Sequence, residues 1–151
     1  MKAKTAVIIA GIIIGGLVMT KKVGGSVIER MAAAIEYWES GGNPDALNYR
    51  NNNPGNLRWF NGFDTIPWAG ATALDQFDHV VFDSYASGYA ALIHQLSIAF
   101  NGQSRVYSPA DTLSQFFSKY AEANSTAYAE YVAAELGVTP ETELQNITVG
   151  A

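Results

Sequence analysis

The chain is 151 residues long, 48% hydrophobic and 12% aromatic, with no cysteine and a formal net charge of −5. That length suits one domain with a short additional segment, and the lack of cysteine excludes disulfides, thiolate catalysis and cysteine-ligated zinc. Lys2, Lys4, Lys21 and Lys22 are four of the nine basic residues, so residues 23–151 hold five basic side chains against fourteen acidic ones; nucleic acid is not an expected partner of so acidic a domain.

Ala6 to Met19 is an uncharged apolar run. With Thr5 and Thr20 it makes 16 residues, about 24 Å as a helix, slightly short of a usual membrane span. Lysines on both flanks can snorkel and make up the difference. The expectation is an uncleaved single-pass anchor over residues 1–22, with residues 5–20 in the bilayer. A signal peptide is the competing reading, since Lys2 and Lys4 form an n-region; no clean cleavage site follows, and Lys21-Lys22 reads as a stop. Gly11 and Gly15 stand at GxxxG spacing, which is either a helix-association face or the ordinary abundance of glycine in membrane segments. Lysines on both sides leave the orientation open.

Gly24-Gly25 is a linker. Ser26 to Glu29 reads as a capping box opening a helix, with Val27, Met31, Ala34, Ile35 and Trp38 on one apolar face. Gly41-Gly42 ends it, so Glu39 lies in its last turn. Residues 43–62 read as loop, rich in Asn, Pro and Gly. Thr65-Ile66, Trp68, Phe77 and His79 to Phe82 predict a small antiparallel hairpin within 63–82. Asp83 or Ser84 caps a long helix to about Phe100, with Tyr85, Tyr89, Leu92, Ile93 and Leu96 facing inward. Ser108-Pro109-Ala110-Asp111 predicts a helix start with proline at the first position, running to Tyr120. Another helix covers about Thr126 to Leu136 and stops at Gly137, and Thr139-Pro140 starts a last turn. The fold class is α+β: a mainly helical domain over 23–151 with about five helices and one hairpin.

Cleavage of a glycosidic bond needs a proton for the leaving oxygen and a way to meet an oxocarbenium-like carbon. A glutamate in apolar surroundings holds its proton to higher pH. Glu39 follows Trp38 and precedes a glycine turn that opens space before it. That position suits a general acid, and it equally suits a surface glutamate at a helix end.

The neighbouring residues carry a more specific signal. Ile35, Glu39-Ser40-Gly41, Asn43-Pro44 and Ala46 resemble the first motif of lytic transglycosylases of the lysozyme-like superfamily. The Gly-Leu-Met-Gln segment usual in those enzymes is absent. In its place stands Asn52-Asn53-Pro54-Gly55-Asn56-Leu57-Arg58, which is similar to the signature of phage-encoded, virion-associated peptidoglycan-degrading proteins. Phe82-Asp83-Ser84 to Gly88, the run from Tyr120 through Asn124 to Tyr128, Val132-Ala133 and Leu136-Gly137-Val138 extend the likeness over about residues 26–143.

The resemblance implies a lysozyme-like fold and Glu39 as the catalytic acid. It implies that Ser40 bonds substrate or braces the carboxylate, with helix capping as the other role open to it. Asn53 and Asn56 have donors and acceptors suited to N-acetyl and hydroxyl groups, or they make the turn. Arg58 either holds a carboxylate or carbonyl of the peptide stem or pairs with an acid of this chain. Tyr120 lines the cleft or the core. Asp64, Asp75, Asp78 and Asp83 are candidates for a second acid, without motif context. His79 and His94 stand alone, and neither a metal nor a cofactor is expected. Lacking a clear second acid, the transglycosylase route is preferred: Glu39 protonates the leaving oxygen, then takes the proton of the sugar's own 6-hydroxyl as a 1,6-anhydro ring closes. The expected substrate is peptidoglycan, and the expected setting a phage virion membrane or a host inner membrane with the domain facing the periplasm. The alternatives are a lysozyme-type hydrolase and a non-catalytic, membrane-anchored wall-binding protein.

Overall fold

The computed structural model describes residues 26–148, and upstream of these only a short antiparallel pairing of Ile13–Ile14 with Leu17–Val18. Apart from those four residues, the anchor over 5–20 lies outside the described residues, as does the Gly11/Gly15 face. Among the described residues no helix is long and apolar enough to cross a membrane.

Five helices and one hairpin make up the domain: α1 (Val27–Ser40), α2 (Leu47–Arg50), β1 (Ala71–Leu74), β2 (Val80–Phe82), α3 (Tyr85–Phe100), α4 (Leu113–Tyr120) and α5 (Ser125–Leu136). Two 3-10 turns, Phe63–Thr65 and Leu144–Asn146, join them. The α+β expectation holds at this level.

α1 begins at the expected capping box, with Ser26 Oγ accepting from the Glu29 N–H and the Glu29 carboxylate accepting from the Ser26 N–H. It ends where Gly41 turns into the left-handed region at φ 57°. Met31, Ala34 and Ile35 are fully buried on its inner face, which packs on α5 and α3. α3 starts on the Ser84 cap, whose hydroxyl accepts from the Ser87 N–H. It contributes Leu92 and Leu96 to the core, while α4 and α5 supply Phe116, Phe117 and Val132.

Four expectations shift. The predicted loop over 43–62 contains the four-residue α2. Thr65-Ile66 and Trp68 are not strand: Trp59 Nε1 donates to the Thr65 hydroxyl, and that hydroxyl donates to the Asn61 and Gly62 carbonyls, which closes a turn. The hairpin is confined to Ala71–Leu74 and Val80–Phe82, with an irregularity between Ala71 and Ala73. α4 starts at Leu113 rather than near Ser108, on a Thr112/Gln115 capping box. The reason is tertiary: the Pro109 and Asp111 carbonyls accept from the N–H groups of Gln145 and Leu144, while the Asp111 N–H donates to the Ser108 carbonyl and closes this stretch as a turn ahead of the helix. Thr139-Pro140 forms a turn, and the last helical turn comes at Leu144.

The asparagine loop lies along the free edge of β2. The Phe82 N–H donates to the Asn51 carbonyl and the Val80 N–H to the Leu57 carbonyl, and Arg58 pairs with His79 as an isolated antiparallel bridge. Gly88 of α3 allows this loop to sit down, since a Cβ there would stand 1.7 Å from the Asn52 carbonyl oxygen.

Candidate active site

A cleft of about 560 Å³ opens beside the end of α1. Its walls come from α1 (Trp38, Glu39), the asparagine loop and its continuation (Asn56, Arg58, Phe60), the hairpin (His79) and the α4–α5 region (Tyr120, Glu122, Tyr128). These residues are distant in sequence, and helix packing assembles them.

Glu39 is the group best placed for chemistry. Its Oε2 accepts from Asn56 Nδ2 at 2.8 Å and its Oε1 from the Tyr128 hydroxyl at 2.9 Å. Trp38 stacks on Tyr128 with ring centroids 4.9 Å apart, and Phe117 stacks on the same ring at 4.3 Å. Burial among these rings raises the Glu39 pKa above the ordinary 4.5; the bonds from Asn56 and Tyr128 oppose that rise without cancelling it. The Glu122 charge adds to it, and His79 works against it. The result is an acid that keeps its proton longer than usual and whose carboxylate form still finds two donors.

The same site holds an unused acceptor, because Asn56 Oδ1 is buried without a hydrogen-bond partner. Half a turn of the amide would present it to a protonated Glu39. Asn56 can thus serve either state of the acid, and it sits at φ 46°, where asparagine is better tolerated than most residues.

Of the residues read from sequence, Glu39, Asn56, Arg58 and Tyr120 come together on the cleft. The Tyr120 hydroxyl donates to the Gly55 carbonyl, and a Cβ at Gly55 would stand 2.7 Å from that hydroxyl. Burial pushes the Tyr120 and Tyr128 pKa values well above 10, so both rings stay neutral. Arg58 Nη1 pairs with Glu122 at 2.8 Å, its Nε donates to the Phe77 carbonyl, and its guanidinium lies 4.9 Å from the Phe60 ring centroid. Of the two partners open to it, an acid of this chain is the one it has.

Ser40 and Asn53 are placed otherwise. The Ser40 hydroxyl donates to the Tyr37 carbonyl and accepts from the Gly42 N–H, so it caps the end of α1. Asn53 is fully buried, donating to the Leu57 and Val80 carbonyls and accepting from the Leu57 N–H. It ties the loop to β2 and does not line the cleft. Asp75 contacts His79, while Asp64, Asp78 and Asp83 are not among the residues lining the cleft.

Sequence reasoning missed Tyr128 as the partner of Glu39, across 89 positions. It also missed Glu122, a second carboxylate on the cleft, and Asn48, whose buried amide donates to the Glu36 and Pro54 carbonyls and joins α1 to the loop. Tyr128 and Glu122 stood inside the motif-like C-terminal run, but no local pattern marked either. No family model, curated protein or solved structure matches the chain.

Proposed function

We propose that this chain is a peptidoglycan lytic transglycosylase of the lysozyme-like, phage virion-associated kind, cleaving the MurNAc-GlcNAc β-1,4 bond with Glu39 as acid and then base. The observation that carries this reading is the Glu39 carboxyl on the cleft, its pKa raised by burial and its carboxylate form held by Tyr128 and Asn56. Protonated Glu39 donates to the glycosidic oxygen as the C1–O bond breaks, and the bonding pair leaves with that oxygen. The 6-hydroxyl of the same muramic acid then attacks C1, and the Glu39 carboxylate removes the hydroxyl proton. A 1,6-anhydro end forms, the acid is restored, and no water is consumed. Phe60, 69% exposed at the cleft, offers an aromatic face to a sugar ring. The apolar N-terminal run suits a membrane anchor that would hold the domain against the wall during local opening by a phage.

Glu122 favours a second reading. A second carboxylate on the same cleft is what a hydrolase needs to activate water or to support the cation. One experiment separates the readings: the full chain is incubated with purified peptidoglycan and the muropeptides are weighed by mass spectrometry. Anhydro ends, one water lighter than hydrolysed ones, are expected, along with loss of at least about a hundredfold in rate for Glu39→Gln. Hydrolysed ends would favour the lysozyme reading. Wall binding without any cleavage would leave the non-catalytic alternative.

A further inference from the structure

Asp75, His79, Glu122 and Arg58 form a continuous chain that ends on the cleft. Asp75 is held from three sides, by Asn51 Nδ2 at 3.0 Å and by the N–H groups of Phe77 and His79 at 2.8 and 3.0 Å. Burial works against its charge, yet these bonds, with His79 beside it, keep its carboxyl below the ordinary 3.8. His79, only 6% exposed, points Nδ1 at Asp75 Oδ2 at 3.1 Å and Nε2 at Glu122 Oε1 at 3.2 Å. Glu122 Oε1 also meets Arg58 Nη1 at 2.8 Å.

Donor counting makes this chain depend on one proton. An ionised carboxylate only accepts, so a neutral ring can satisfy Asp75 or Glu122 but not both. With a proton on each nitrogen the ring bridges them, and negative and positive groups alternate from Asp75 to Arg58. Without the second proton, Arg58 alone offsets Glu122. The charged and titratable groups on the cleft with Glu39 are Arg58 from the asparagine loop, His79 from the hairpin, Tyr107 before α4, Lys119 and Tyr120 from α4, Glu122 from the α4–α5 connection and Tyr128 from α5; those against His79 are Asp75 and Glu122.

We propose that Asp75, His79 and Glu122 are positioning residues for the Glu39 proton: Asp75 fixes the His79 ring, the ring and Arg58 fix Glu122, and the Glu122 carboxylate is thereby held on the cleft that Glu39 shares. The inference rests on Glu39 acting as the acid proposed above.

The Glu39 carboxyl carbon is titrated by NMR in the full chain and in its Glu122→Gln and His79→Gln variants, with peptidoglycan cleavage followed over the same pH range. Glu122→Gln, at a side chain 58% exposed, is expected to move the Glu39 midpoint and the alkaline limb of the rate profile to lower pH. His79→Gln, which removes the ring and leaves the carboxylate, is expected to move both to higher pH. A loss of rate equal at every pH with an unmoved midpoint, as loosened packing would give, would overturn the proposal. The shifts in midpoint without any cleavage by the unsubstituted chain would support the coupling and overturn the activity instead.

Discussion

Two glutamates three residues apart on α1 have different surroundings. Glu36 is 1% exposed and receives the Tyr85 hydroxyl at 2.6 Å, whereas Glu39 reaches the cleft and receives Tyr128 and Asn56. Holding Glu39 there has a thermodynamic signature. Its folded pKa lies above the ordinary 4.5, so the folded state binds its proton more tightly than the unfolded state does. Stability is then full below 4.5 and falls as pH rises from 4.5 through the folded value. Glu39→Gln removes that penalty, and its amide can donate to the unpaired Asn56 Oδ1. The variant is expected to melt at a higher temperature than the parent near neutral pH and to lose the advantage below pH 4.5, as scanning calorimetry at several pH values would show. A melting difference independent of pH would contradict the burial argument.

At the scale of elements, the caps were legible because they are local. Ser26 with Glu29, Gly41, Ser84 and Gly137 all do what their residue types and spacing predict. The start of α4 was not legible, because residues near 144, far along the chain, take the Pro109 and Asp111 carbonyls and hold this stretch as a separate turn. The seating of the asparagine loop on α3 is equally non-local and turns on Gly88. With a Cβ 1.7 Å from a backbone oxygen, Gly88→Ala forces the loop or the helix to move. A loss of about 1–3 kcal/mol or more in denaturant unfolding is expected, with weakened cleavage because the displaced loop carries Asn56. Unchanged stability would mean that the loop is not pinned there.

Across the whole molecule, the cleft is a seam between the helices and the loop-and-hairpin layer, closed by side chains that cross it. Tyr120 bonds Gly55, and Glu122 bonds Arg58 and His79. Elsewhere Asp111 fastens the turn before α4, meeting Lys119 at 2.7 Å and the Ser108 N–H at 2.9 Å. Burial opposes the charge on Asp75 and Asp111, but their donors keep both carboxyls below 3.8. What these two carboxylates contribute is therefore complete above 3.8 and lost as pH falls through the folded values. Thermal melts from about pH 6 down to pH 2 should fall in the acid range, and Asp75→Asn or Asp111→Asn should each flatten that fall. An acid limb of unchanged slope in both variants would show that other carboxylates govern it.

The sequence by itself determined the α+β class, the main helices and their caps, the place of Glu39 at the end of α1 and the loop that faces it. Periodicity, capping and turn chemistry act over a few residues, so they can be read along the chain. Only the tertiary structure decided which polar residues reach the cleft. It turned Asn53 into a buried brace and Ser40 into a cap, brought Tyr128 to Glu39, and placed Glu122 and the Asp75-bound His79 on the same cleft. Those outcomes depend on which helix faces lie against each other, and hydrogen bonds between groups tens of residues apart leave no local mark on the chain.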